Sequence, residues 1–176
     1  MIRYAITDPK YYNLDYLKSL DNKADYVLLR DKSNKDYKAL AKEFINATKE
    51  YSYKKILHQD YILAKELNAF GVHLTSLGFK DIKKAKELNL FTIISTHSID
   101  EIKRAYILGA DAVTFSPIFK TPNKGEPKGL MALKEAVSCC KIKVIALGGI
   151  VTKEHIKQIS LVNAWGFASI RYFVKD

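Results

Sequence analysis

The chain has 176 residues, enough for one sizeable core and too few for two comfortable domains, so residues 1–176 read as a single domain. Hydrophobic residues make up 48% and aromatics 11%, which excludes a disordered chain, and no apolar run reaches the roughly 20 residues of a membrane span. The formal net charge of +10 comes mostly from lysines spread over helix faces (Lys35, Lys38, Lys42, Lys49), with no aromatic-plus-basic stripe for stacking bases. Solvated lysine faces are the plain reading of that charge; it is also compatible with phosphorylated small molecules as partners, and neither nucleic acid nor membrane is expected.

In chain order, the start Met1-Ile2-Arg3-Tyr4-Ala5-Ile6-Thr7-Asp8 reads as a strand and lacks the basic-then-apolar layout of a signal peptide. A cytoplasmic protein is the expectation. Short apolar runs of the kind that form buried parallel strands follow at 2–7, 26–30, 55–58, 71–74, 92–95, 112–116, 144–147 and 167–170. Amphipathic segments separate them. Tyr37, Leu40, Ala41, Phe44 and Ile45 form one helical stripe, and Ile82, Ala85 and Leu88 another, ahead of Asn89 as a stop. The fifth helix opens on the capping-box pattern Ser98-Ile99-Asp100-Glu101 and closes at Gly109. Strand–helix alternation with no linker predicts a compact (β/α)8 TIM barrel with a shortened C-terminal end. An open flavodoxin-like sheet suits the unbroken alternation poorly. With no eighth helix, apolar surface over the last strand is expected to be exposed, and either to fray or to be covered by a partner in a homo-oligomer.

A barrel of this kind carries its ligand at the C-terminal ends of the strands. Arg30-Asp31-Lys32, His58-Gln59-Asp60, Thr75-Ser76, Ser95-Thr96-His97-Ser98, Gly148-Gly149 and Ser169-Ile170-Arg171 all fall there. Only Arg3, Arg30, Arg104 and Arg171 break an otherwise lysine-based positive charge, and Arg30 and Arg171 sit right after strands. A guanidinium fork holds phosphate through two parallel hydrogen bonds. The alternative use of Arg30 is an ion pair with Asp31 or Asp60 that braces the barrel. Gly148 and Gly149 would let backbone amides approach a phosphate. The long loop from Pro117 to Gly129, with Lys120, Thr121, Asn123 and Lys124, has the length of an active-site flap. His58 is expected to face the pocket, His73 and His97 to be hydrogen-bonded structural residues, and His155 to lie exposed in mid-helix. No residues have metal-ligand or nucleophilic-triad spacing, and the adjacent Cys139 and Cys140 read as helix-end residues.

These residues together resemble the thiamine-phosphate synthase/TenI family. The match runs through Ala5-Ile6-Thr7-Asp8, Leu29-Arg30-Asp31-Lys32, Gly71-Val72-His73-Leu74, Ser95-Thr96-His97-Ser98, Gly109-Ala110-Asp111-Ala112 and Ala146-Leu147-Gly148-Gly149-Ile150. Its most specific part is the flap, Pro117-Ile118-Phe119-Lys120-Thr121-Pro122-Asn123-Lys124. The resemblance implies an enzyme that couples hydroxymethylpyrimidine diphosphate to thiazole phosphate with release of pyrophosphate, assisted by Mg²⁺. It implies that Arg30 and Lys32 hold the diphosphate, that Lys124 reaches it from the flap and that Ser95 lies near the leaving group. Thr121 and Gly149 would hold the thiazole phosphate, with Asn123, Gly148, Ile170 and Arg171 beside them.

The chain departs from the family pattern at several positions. The strand-3 Asn-Asp is His58-Gln59, the second metal acid aligns with Gly78, the glutamine two residues before the arginine is Leu28, and Arg171 stands where a serine ends strand 8. A hard cation prefers carboxylate oxygens, so both acids of a Mg²⁺ site are missing. The family's metal-free branch, the thiazole tautomerase TenI, would fit that loss, but Pro117 occupies the place of its catalytic histidine; His58 could then serve as general base. A non-catalytic homologue that binds phosphate ligands is the third alternative.

Overall fold

The computed structural model describes residues 1–174. Eight parallel strands close into one barrel, each hydrogen-bonded to the next and β8 back to β1. They are β1 (Ile2–Ile6), β2 (Tyr26–Leu29), β3 (Lys54–His58), β4 (Gly71–Leu74), β5 (Phe91–Thr96), β6 (Ala112–Phe115), β7 (Lys143–Leu147) and β8 (Gly166–Ser169). Between them run α1 (Leu14–Ser19), α2 (Tyr37–Ala47), α3 (Tyr61–Glu66), α4 (Ile82–Glu87), α5 (Ile99–Ile107), α6 (Gly129–Ser138) and α7 (Lys153–Leu161). The (β/α)8 expectation holds, with strand ends displaced by a residue in most cases. Among the described residues no helix is long and apolar enough to cross a membrane.

Local chemistry sets the helix ends. Asn13, Asp36, Asp60, Ser98 and Thr152 each accept a hydrogen bond from the amide three residues on, satisfying a donor that the first turn leaves free. In the predicted capping box, Glu101 turns back to accept from the amide of His97. Asn68, Asn89, Gly109 and Asn163 stop the following turns with φ of 52°, 60°, 87° and 58°.

The alternation of side chains along each strand divides the core in two. Val27, Leu29, Leu57, Val72, Ile94, Val113 and Phe167 face outward and bury the helix stripes carrying Phe44, Ile82, Ile102, Leu133 and Ile159. Tyr4, Ile6, Leu28, Ile56, Ile93, Ala112, Ile145 and Ala168 fill the barrel itself. At the N-terminal end, Tyr26, Phe70, Phe91 and Trp165 pack with ring centroids 5.2 to 6.2 Å apart, closing the barrel from below. Only the C-terminal end is left for a ligand.

The expected bare surface over β8 is a correction. A single 3-10 turn, Arg171–Phe173, replaces the eighth helix. Phe173 stacks on Phe167 at 5.9 Å and Tyr172 meets it edge-on at 5.3 Å, leaving Phe167 only 2% exposed. Two aromatic rings thus cover what a helix covers elsewhere. Lys175 and Asp176, the end of the predicted tail, lie outside the described residues.

Candidate functional site at the C-terminal rim

Arg30, Lys32 and His58 come together where β2 and β3 end. The Tyr37 hydroxyl ties the two strands, donating to the Leu29 carbonyl at 2.8 Å and accepting from the His58 amide at 2.9 Å. Thr7 Oγ1 accepts from the Arg30 amide at 2.9 Å, so β1 holds the arginine's backbone from the other side. His58 is pushed down to about 4, first by burial and then by the charges of Arg30 and Lys32. Both cations thus act on the imidazole, which follows Ile56 by two residues and so lies on the inward face of β3.

The carboxylates nearby form no ion pair with these cations among the described residues, although Asp31 lies in the field of Arg30. Asp31 accepts from the Ser33 hydroxyl at 2.6 Å and from the amides of Ser33 and Asn34, which holds its carboxyl below the usual range. Asp60 caps α3 through the Leu63 amide at 2.8 Å, and Asp8 accepts from the Lys10 amide at 3.0 Å. Among the described residues Arg30 makes no ion pair, so its reading as a brace to Asp31 or Asp60 fails. Arg3 is paired with Asp25 at 3.0 Å and Arg104 lies 4.6 Å over the Phe79 ring, both away from the rim. Arg171 is exposed at the start of the final turn, and Ile170 borders the interior cluster.

Beneath the rim a hydrogen-bonded row crosses the barrel. Tyr4 Oη lies 3.0 Å from His73 Nδ1, and His73 Nε2 lies 3.1 Å from Ser95 Oγ. His73 is fully buried and pushed down to about 3, chiefly by that burial, with His58 and Arg30 adding to it. Thr114 pairs with Ser95 across β5 and β6, and its buried Oγ1 has no hydrogen-bond partner among the described residues. The opposite wall is apolar, built from Ile6, Leu28, Leu147 and Ile170. Tyr4, Thr114 and the linking role of His73 escape a reading of one strand end at a time, because each depends on a partner from another strand. The strand period held the signal: His73 lies two residues from Gly71, and Thr114 two from Ala112, on the inward face.

Both imidazoles give stability a pH dependence. Their folded values, about 4 and about 3, lie below the ordinary 6.5, so between these limits the unfolded chain binds more protons. Their contribution is complete above pH 6.5 and is lost as pH falls toward 4. Denaturant titrations from pH 7 to 4 should show a loss on the order of 3–6 kcal/mol, about halved in His73→Gln. A profile that is flat for the parent would show that these rings are not buried as described.

The flap folds back onto the end of β7. Ile118 and Phe119 donate their amides to the carbonyls of Leu147 and Gly148 at 2.9 and 3.0 Å, and Gly129 donates to the Ile118 carbonyl at 3.1 Å. Gly148 and Gly149 take φ of 99° and 70°, and an added Cβ would meet Pro117 at 2.8 Å or Phe119 at 2.7 Å. The glycine pair is thus required by flap packing, whatever it offers a ligand. Thr121 Oγ1 donates to the Phe119 carbonyl at 2.9 Å, while Asn123, with φ of 58°, and Lys124 are exposed at the tip. His155 corrects another expectation. It is half-buried near the start of α7, stacked on Phe119 at 4.2 Å and accepting from the Val151 amide at 3.3 Å, so it supports the flap base. His97 bridges the loops after β5 and β6 through the Ser116 carbonyl at 3.1 Å.

A Mg²⁺ site built from protein carboxylates does not fit these residues. Gln59 Oε1 accepts from Thr75 Oγ1 at 3.4 Å and its amide lies 3.5 Å from His58 Nδ1, while Gly78 offers no side chain. Among the described residues no three His, Cys, Asp or Glu side chains stand together as ligands.

Comparison with known proteins is consistent along the whole chain. The thiamine monophosphate synthase family model matches residues 3–173. A candidate thiamine-phosphate synthase 2 of Aquifex aeolicus is 38% identical, over 98% of this chain and 97% of its own. The thiamine-phosphate synthase of Methanococcus vannielii is 30% identical over 97% of this chain and 86% of its own. The thiamine phosphate pyrophosphorylase structure from Pyrococcus furiosus superposes with a TM-score of 0.81 at 26% identity, covering 96% of this chain and 85% of that one. On these matches, and with the same closed barrel, the chain belongs to the thiamine monophosphate synthase family.

Proposed function

We propose that this protein is a thiamine-phosphate synthase, joining hydroxymethylpyrimidine diphosphate to thiazole phosphate and releasing pyrophosphate. The observation that carries the reading is the pair Arg30 and Lys32 after β2, neither in an ion pair among the described residues, with Arg30 acting on His58 and on the buried His73 that meets Ser95. In the reaction the bond between the pyrimidine methylene carbon and the diphosphate oxygen breaks, and the thiazole nitrogen supplies the electron pair for the new C–N bond. Negative charge grows on the departing diphosphate, so fixed cations aimed at it lower the barrier. Arg30 and Lys32 take that role from β2, Lys124 brings a third cation on the flap, and Ser95 offers a hydroxyl from below. Thr121, Asn123, Gly148, Gly149 and Arg171 border the thiazole phosphate. The apolar wall of Ile6, Leu28, Leu147 and Ile170 receives the heterocycle and excludes water from the reacting carbon.

No resident metal is assigned. Any Mg²⁺ arrives on the diphosphate, as part of the substrate. Without substrate, Mg²⁺ at millimolar concentration should leave the thermal midpoint unchanged, since a ligand that binds only the folded state raises it. A rise that saturates would reveal a protein-borne metal site. The tautomerase alternative is less favoured. His58 is neutral near pH 7, but with a value of about 4 it has little affinity for the proton that a general base must take up.

The experiment is thiamine phosphate formation from the two precursors, with Mg²⁺ and with a chelator, against an Arg30→Ala control. Turnover that depends on Arg30 supports the synthase. Folded protein that forms no product rules it out, and proton exchange into thiazole phosphate would then support the tautomerase.

A further inference from the structure

Ser95 can help an anion only if its hydroxyl proton points at that anion, and the row beneath the rim decides where the proton points. We propose that Tyr4 and His73 are positioning residues that fix the Ser95 hydroxyl as a hydrogen-bond donor into the pocket, toward the leaving diphosphate. The identity of that anion rests on the synthase reading; the direction of the hydrogen bonds does not.

The argument is one of proton accounting. The Tyr4 phenol is wholly buried, and among the described residues its hydroxyl has one partner, His73 Nδ1 at 3.0 Å. His73 is buried as well, and the groups that bear on its charge, His58 and Arg30, oppose a proton there, so the ring is neutral. A neutral imidazole has one donor and one acceptor nitrogen. If Nδ1 carried the proton, it would donate to Tyr4, and the phenol's own proton would be buried with no acceptor. Nε2 would then accept from Ser95, and the serine would turn only lone pairs toward the pocket. In the opposite arrangement every buried proton is used. Tyr4 donates to Nδ1, Nε2–H donates to Ser95 Oγ at 3.1 Å, and the Ser95 proton is left for a ligand. The unpartnered Thr114 Oγ1, on the strand paired with Ser95, marks the same layer as one where hydrogen-bonding capacity is held open.

Tyr4 touches no substrate in this scheme; it acts through the tautomer of His73. The test has two arms. A two-bond ¹H–¹⁵N correlation spectrum of the ligand-free protein reads the His73 tautomer directly. Calorimetric titration with inorganic pyrophosphate compares the parent, Tyr4→Phe, Ser95→Ala and the double variant. The Nε2–H tautomer is expected, with pyrophosphate affinity lowered about tenfold by either single change. The double variant should bind no more weakly than Ser95→Ala, because Tyr4 works through that serine. An Nδ1–H tautomer in the parent, or additive losses in the double variant, would overturn the proposal. If the parent itself fails to bind pyrophosphate, the synthase reading falls, and the tautomer alone decides the direction of the row. Should Tyr4→Phe not fold, the parent spectrum carries the same decision.

Discussion

Arg30→Ala is expected to lower kcat/KM for thiamine phosphate formation by about 10²–10³-fold, the loss typical of removing a donor aimed at charge that develops in the transition state. The protein should stay folded. The Arg30 side chain makes no ion pair among the described residues, and Asp31 and Asp60 are satisfied by their own loops, so its removal strands no buried charge. Its backbone remains held by Thr7. A substitution that breaks no packing, cap or buried pair changes stability by about 0.5 kcal/mol or less. Arg30→Lys should fall between parent and alanine, because an ammonium keeps the charge and loses the two-pronged geometry. Steady-state rates and denaturation midpoints on the same preparations separate the two roles. A variant that is fully active yet markedly less stable would make Arg30 a structural residue.

The barrel was legible because parallel strands buried on both faces appear as unbroken apolar runs, as at Val27-Leu28-Leu29 and Val144-Ile145-Ala146, each followed by a stripe and a stop. The rim cations were legible for a related reason. Arg30 and Arg171 stand out against lysine, and their places just after strands put them on the ligand side. What escaped depends on contacts between distant segments. Tyr4 and His73 are 69 positions apart, and only strand register brings phenol and imidazole within 3.0 Å. His155 looks like an ordinary helix residue until the flap lays Phe119 against it. The missing eighth helix misled in the same way, since a count of turns takes no account of two aromatic rings sealing Phe167.

Gly149→Ala should expose that dependence on distant contacts most sharply. At φ of 70° an alanine pays for a left-handed backbone, roughly 1–2 kcal/mol. Its methyl would also stand 2.7 Å from Phe119 Cβ, from the Phe119 carbonyl carbon and from the Lys120 carbonyl oxygen. Two of those three atoms are backbone, so rotating a side chain cannot relieve the crowding, and the flap base must lift. Lifting it breaks the Phe119 amide's hydrogen bond to Gly148 and unstacks the ring from His155. The flap carries Thr121 and Lys124, and a misplacement on the order of 1 Å in a positioning group costs about 10²-fold in rate. The expected result is a destabilisation of about 1–3 kcal/mol together with a loss of activity on that scale. Hydrogen exchange at the Ile118 and Phe119 amides should quicken in parallel. Lost activity with both amides still protected would point elsewhere, to the Gly149 amide itself as a donor to the thiazole phosphate. A variant unchanged in stability, exchange and rate would mean that the flap does not rest on β7 in solution, and with it would go the account of why this turn is Gly-Gly.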